Sequence, residues 1–207
     1  EQGFTISDKQ LSKRLIIENP EILDKYAAKN QSVILIGGHY NNWEMCAQAF
    51  ALSLKYKCYG IYKPLKNIFL NNKIYNSRTR FGLNLVSMKK TKSMFSNLDL
   101  AKAFLFASDQ TPAKNKKSYW LNFLNQETMV FTGAEKYARE HNLPVFYVSV
   151  SKIKRGFYKV KFTLITEKPN DFEFGKITDL YINNLEKDII ISPQYWLWTH
   201  KRWKHKR

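Results

Sequence analysis

Ser32-Val-Ile-Leu-Ile-Gly-Gly-His-Tyr-Asn-Asn-Trp-Glu44 governs how the rest of the chain is read. Its first five residues form a short apolar run rich in β-branched side chains. Closed by Gly37 and Gly38, such a run predicts a strand buried on both faces. A helical pattern follows from about Asn42 to Leu54, with Met45, Gln48, Ala49 and Leu52 spaced by three or four. Strand, glycine turn and helix in succession open an α/β unit. Two chemistry-bearing side chains, His39 and Glu44, fall just past the carboxyl end of its strand, where ligands of such sheets bind.

The same alternation continues outward. Residues 58–62, 83–86, 103–107, 144–150 and 157–165 read as further strands, and residues 66–80, 93–100, 132–141 and 178–191 as helices. Tyr119 to Leu124 is a further apolar stretch. No internal repeat and no low-complexity linker interrupts the pattern. The reading is therefore an α/β protein with a mixed, largely parallel central sheet flanked by helices, in one domain over residues 1–207.

Composition narrows the function classes. Hydrophobic residues make up 44% of the 207, enough for a sizeable core, and only 8 Gly and 6 Pro argue against disorder. The 34 basic residues outnumber the 17 acidic ones, a net charge of +17, so an anionic partner is expected. Nucleic acid, an anionic membrane surface, a phosphorylated glycolipid and an acidic carrier protein all fit that charge. Two cysteines, Cys46 and Cys58, lack metal-ligand spacing and read as packing residues, with a reducing compartment the simpler setting. No run of 18 apolar residues occurs, so no transmembrane helix is expected within these residues, and any anchor is expected outside them.

His39 and Glu44 are five residues apart. On one continuous helix that places them roughly 140° apart. They can pair only if His39 sits in the turn and Glu44 in the first helical turn. Asn41 as N-cap gives Glu44 the third helical position, the spacing of a capping box. Glu44 bonded to one imidazole nitrogen fixes the tautomer and leaves the other nitrogen as a base. The alternative is a plain cap and a loop histidine. Reading the pair as metal ligands leaves them without a third ligand nearby, so no metal and no cofactor is expected.

Other residues admit two readings each. Arg78 and Arg80 either compensate a helix dipole or clamp a phosphate or oxyanion. Asp109 and Gln110, after the strand ending at Ala107, either form a simple turn or line an acceptor pocket beside His39. Lys114, Lys116 and Lys117, and Lys152, Lys154 and Arg155, are solvated faces that together can dock an anion. The tail, with Trp196, Trp198 and Trp203 among Lys201, Arg202, Lys204, Lys206 and Arg207, suits a membrane interface or a nucleic-acid surface equally. His200 reads as structural, and His141 and His205 have no evident partner.

Five segments in order carry a resemblance. Gly38-His-Tyr-Asn-Asn-Trp-Glu44 resembles the His-x4-Asp/Glu motif of glycerolipid acyltransferases, in the form found in the late acyltransferases of lipid A biosynthesis. Tyr62-Lys-Pro64 with Arg78-Thr-Arg80, Ser108-Asp-Gln110, Thr132-Gly133, and Trp198-Thr-His-Lys-Arg-Trp-Lys204 resemble further elements of that family. The resemblance implies transfer of a fatty acyl chain from acyl carrier protein, or acyl-CoA, to a hydroxyl of a lipid A precursor. It implies His39 as general base with Glu44 as its partner, Arg78, Arg80, Asp109 and Gln110 at the substrate, and no acyl-enzyme. It also implies work at the cytoplasmic face of a bacterial inner membrane, with no nucleic acid as partner. The rival readings are an acyltransferase acting on another glycerolipid, aminolipid or glycolipid, and a basic nucleic-acid-binding protein.

Overall fold

The computed structural model describes residues 2–114 and 119–206. Its elements, in chain order, are α1 (Gln2–Thr5), α2 (Asp8–Arg14), β1 (Leu15–Ile17), α3 (Glu21–Ala27), β2 (Val33–Gly37), α4 (Trp43–Ser53), β3 (Lys57–Tyr62), α5 (Ile68–Thr79) and β4 (Asn84–Ser87). A 3-10 helix (Met88–Phe95) leads to β5 (Lys102–Ala107). The chain continues through β6 (Tyr119–Phe123), β7 (Gln126–Val130), α6 (Gly133–His141), β8 (Val145–Lys154), β9 (Phe157–Thr166) and α7 (Lys176–Ile191). Seven strands form one sheet in the order β1-β9-β8-β2-β5-β3-β4. All neighbours run parallel except β8 and β9, which are antiparallel. The α/β class and the mixed, largely parallel sheet flanked by helices are as the sequence predicts. Among the described residues no helix is long and apolar enough to cross a membrane.

The central strand β2 shows why the sheet has two covered faces. Val33, Ile34, Leu35 and Ile36 are all buried. Val33 and Leu35 join a core with Leu23, Tyr26, Met45 and Phe50, under α3 and α4. Ile34 and Ile36 join the opposite core with Phe104, Ala138, Ile177 and Tyr181, under α6 and α7. Successive side chains of a strand point to opposite faces, so an unbroken apolar run needs a layer on each side. Cys46 and Cys58 lie in the first core, where burial pushes both thiols up and away from the reactive thiolate.

Three segments depart from the sequence reading for local reasons. The helix expected at 93–100 is instead the 3-10 helix over Met88–Phe95. Ser93 and Ser96 hydroxyls donate to the carbonyls of Lys90 and Ser93, and Asn97 takes a positive φ with its side chain accepting from Asp99 N–H. These side chains compete with helix propagation. The apolar stretch at 119–124 is β6 of a hairpin with β7. Its two-residue turn, Leu124-Asn125, has both φ positive, the primed geometry that matches strand twist. The N-terminal region, which the pattern left unassigned, holds α2 and β1. A reciprocal capping box between Ser7 and Gln10 starts α2.

Phe104 on β5 is fully buried, with its ring 4.3 Å from Phe95 and 5.8 Å from Tyr59. Phe104→Ala is expected to cost about 3–5 kcal/mol, measured as a lower urea midpoint with an unchanged slope.

Candidate active site

The register of the sheet places the site. Gly37 at the end of β2 is directly paired with Ala107 at the end of β5. His39 and Asp109 are each two residues beyond, so two separate loops leave the sheet side by side. His39 Nδ1 lies 2.6 Å from Asp109 Oδ1, and the His39 backbone N–H donates to Asp109 Oδ2 at 3.0 Å. The Trp196 indole N–H donates to the same Oδ2 at 2.8 Å. Asp109 is almost wholly buried. Burial alone raises its carboxyl, but the hydrogen bond and charge of His39, the Trp196 indole and the His39 N–H outweigh it and hold the carboxyl below its ordinary value. With Nδ1 on the carboxylate, Nε2 of His39 has no protein partner among the described residues.

This corrects the expected His39–Glu44 pair. Asn42, not Asn41, caps α4, its side chain accepting from Met45 N–H at 3.2 Å. Asn41 adopts φ +52° and donates its side-chain amide to the Val150 carbonyl. Glu44 therefore stands at the second helical position. Both its carboxylate oxygens accept from Arg78: Nε donates to Oε2 at 2.8 Å and Nη2 donates to Oε1. The fork is the bidentate geometry that suits guanidinium to carboxylate. Trp43 joins the two pairs. Its ring meets His39 edge-on, 4.8 Å between centroids, and the Arg78 guanidinium lies 5.5 Å over it. His39, Trp43, Arg78 and Glu44 thus form one continuous lining.

The other predicted residues divide. Gln110 is half-buried in the loop beside Asp109. Arg80 is not brought to His39: it is exposed, donates to the Phe4 carbonyl at 2.7 Å and lies over the Phe81 ring. Lys116 and Lys117 of the lysine loop lie outside the described residues, as does Arg207 of the tail.

The tail reading changes most. Residues 195–203 are folded across the site rather than presented as a flat aromatic face. Tyr40 and Trp196 form an antiparallel bridge, with Asn41 N–H donating to the Tyr195 carbonyl and Leu197 N–H to that of His39. His200 Nε2 accepts from Thr111 N–H at 3.0 Å, a bond that needs the neutral ring, and burial lowers this histidine. Arg202 is buried and donates to the Met129 carbonyl, while burial pushes it down to about 10. The Trp203 indole donates to Thr128. Trp196, which the sequence reading assigned to a surface of the tail, and Trp43, which it gave no role, are the site residues it missed. The only signal was the immediate adjacency of Trp43 to Glu44 and the density of tryptophan near the C-terminus.

Gly38 is required by close approach. A Cβ there would lie 2.8 and 2.9 Å from the Leu185 methyls and 3.4 Å from Asp109 Cγ. Leu185 is itself fully buried and has little room to yield. Gly38→Ala is expected to cost about 1–3 kcal/mol, read as a lower melting temperature. A pH effect follows from Asp109. Its folded carboxyl ionises at lower pH than in the unfolded chain. That contribution to stability is complete above the ordinary carboxylate range and fades as pH falls through it. The melting-temperature gap between the wild type and Asp109→Asn should therefore narrow between neutral and strongly acidic pH.

Comparison with known proteins adds a family. The model described as bacterial lipid A biosynthesis acyltransferase matches residues 4–205. A lipid A biosynthesis palmitoleoyltransferase of Escherichia coli (strain K12) is 20% identical over 199 residues, covering 95% of this chain and 64% of that protein. A lipid A biosynthesis acyltransferase of Shigella flexneri gives the same figures. A lipid A biosynthesis lauroyltransferase of Escherichia coli (strain K12) is 20% identical over 200 residues, again 95% and 64%. The chain thus spans somewhat less than two thirds of the length of these curated relatives.

Proposed function

The chain belongs to the bacterial lipid A biosynthesis acyltransferase family, and on that premise we propose that it transfers a fatty acyl chain from acyl carrier protein or acyl-CoA to a hydroxyl of a lipid A precursor, with His39 as general base and Asp109 as the carboxylate that orients it. The observation that carries this reading is the His39 Nδ1–Asp109 contact at 2.6 Å, which leaves Nε2 as the proton acceptor.

In this mechanism His39 Nε2 takes the proton of the acceptor hydroxyl as its oxygen bonds to the thioester carbonyl carbon. The ionised Asp109 stabilises the imidazolium. The carbon–sulfur bond then breaks, and the imidazolium returns its proton to the departing thiolate. The acceptor attacks directly, so no acyl-enzyme forms. Neither cysteine fits a nucleophile's role, since both are buried. The start of α4 and the Arg78 guanidinium, which lies over the Trp43 ring that meets His39, are assigned to the developing oxyanion. Glu44 acts on Arg78: it fixes the guanidinium in the plane of its fork and keeps it at the site. The acceptor is a lipid, so the protein works at a membrane surface, the cytoplasmic face of the inner membrane in this reading.

The test is an in vitro transfer assay with acyl carrier protein and acyl-CoA donors and a lipid A precursor, read by product mass. Mass distinguishes a lipid A acceptor from another glycerolipid, aminolipid or glycolipid. His39→Ala should cut the rate by about 10²–10⁴-fold with an unchanged circular dichroism spectrum; near wild-type transfer would sink the assignment. Asp109→Asn should lose at least about 10²-fold, because an amide no longer holds the productive tautomer. Glu44→Gln should cost about tenfold or more through the weakened Arg78 fork. A Glu44→Gln loss larger than that of Asp109→Asn would return Glu44 to the role of direct partner.

A further inference from the structure

We propose that the N-terminal half of α5 is a membrane-docking tip that inserts into an anionic lipid bilayer. Lys73, at the middle of this helix, lies over the Phe4 ring, and the buried contact with the body among the described residues is in its C-terminal half. There Ser77 is buried, Gln48 of α4 donates to its carbonyl at 3.0 Å, and Arg78 is forked on Glu44. The opposite end stands free of the core. Ile68 and Phe69 are each 74% exposed, and Leu65 and Leu70 are also exposed.

The arrangement of these side chains selects the partner. Ile68, Phe69 and Leu70 are consecutive, so they leave the helix roughly 100° apart and cover most of its circumference. A flat protein surface, such as that of an acidic carrier, can cover one side of such a turn. A lipid phase surrounds it and covers all three. The charge fits an anionic bilayer. Lys63, Lys66 and Lys73 flank the tip and are exposed, and no acidic residue occurs between Glu44 and Asp99. The first turn of α5, capped by Asn67, has no acidic side chain either, so no negative charge offsets its positive terminus. A second exposed apolar pair, Ile190 and Ile191 at the end of α7, lies on a helix that also bears Asp179, Glu186 and Asp188, and it lacks this uniform rim.

The tip is joined to the candidate site. A cleft of about 130 Å³ runs behind it, lined by Tyr62, Lys63, Leu65, Ile74, Tyr75 and Arg78. Its inner wall, Arg78, is the residue that lies over Trp43 beside His39. With the tip inserted, the cleft opens at the headgroup level, and a lipid hydroxyl reaches the site without leaving the membrane. This last step rests on the acyl-transfer reading, whereas the docking surface does not.

The test is flotation of the full chain with vesicles of phosphatidylcholine containing phosphatidylglycerol, against phosphatidylcholine alone. The wild type should float with the anionic vesicles. Ile68→Ser with Phe69→Ser should weaken that binding by at least about tenfold. Lys63→Glu, Lys66→Glu and Lys73→Glu together should do the same, and Ile190→Ser with Ile191→Ser should leave it intact. All carry exposed substitutions, and circular dichroism checks the fold. The proposal is overturned if the wild type ignores anionic vesicles, if the Ile68/Phe69 variant floats like the wild type, or if the α7 pair carries the loss. It is equally overturned if the Ile68/Phe69 variant loses only binding to acyl carrier protein. His39→Ala should float normally, so a failure of docking and a failure of the transfer reading are scored on separate measurements.

Discussion

The pairing of β2 with β5 is the constraint from which the candidate site follows. Gly37 opposite Ala107 brings two loops, 70 residues apart in sequence, to one spot. One loop carries an imidazole and the other a carboxylate. A one-residue slip between these strands would turn every side chain of β2 to the wrong face. All four residues of the run are apolar, so it is the close fit of each side chain in its own core, not the polarity pattern, that resists the slip. The two cores and the His39–Asp109 contact are therefore set by the same register, and the glycines after β2 only allow the chain to turn once it is in place.

Much of this was legible in the sequence, and the remainder was not for a definable reason. β2, the turn and α4 could be read because their signals are local: a β-branched run, two glycines, an Asn before a helical period. The identity of the carboxylate partner could not. Glu44 is near His39 in sequence, and spacing made it the natural candidate. Asp109 is distant, and only the strand order places it alongside. The single-residue shift of the cap from Asn41 to Asn42 was enough to move Glu44 from one partner to another. The hairpin β6–β7 and the short β1 were illegible for a related cause. A three-residue strand carries too little pattern to be recognised, and a Leu-Asn turn lacks the glycine that usually marks such a corner. The C-terminal aromatics had a clear composition but an ambiguous destination, since composition alone cannot tell a folded-in tryptophan from an exposed one.

The two acid–base pairs at the site differ in environment. Asp109 is buried and shared among an imidazole, an indole and a backbone N–H. Glu44 is partly open to solvent and held by one arginine. The buried carboxylate sits where water competes least and its charge is felt most strongly by His39. The open pair faces solvent, where water weakens it. Trp43 separates them as a shared wall, so the two can differ in hydration while remaining within one lining.

The segment that supplies Trp196 has a consequence for how the molecule is made. The indole bond to Asp109 closes over 87 residues of chain, and the bridge from Tyr40 to Trp196 spans still more. Contacts of such separation are the slowest to form and the last to be secured during synthesis. The sheet can be complete while Asp109 still lacks its third donor. Assembly of the His39–Asp109 pair is thereby coupled to the arrival of the end of the fold, and a chain halted before α7 is finished carries a histidine and an aspartate but not the indole that also holds the carboxylate.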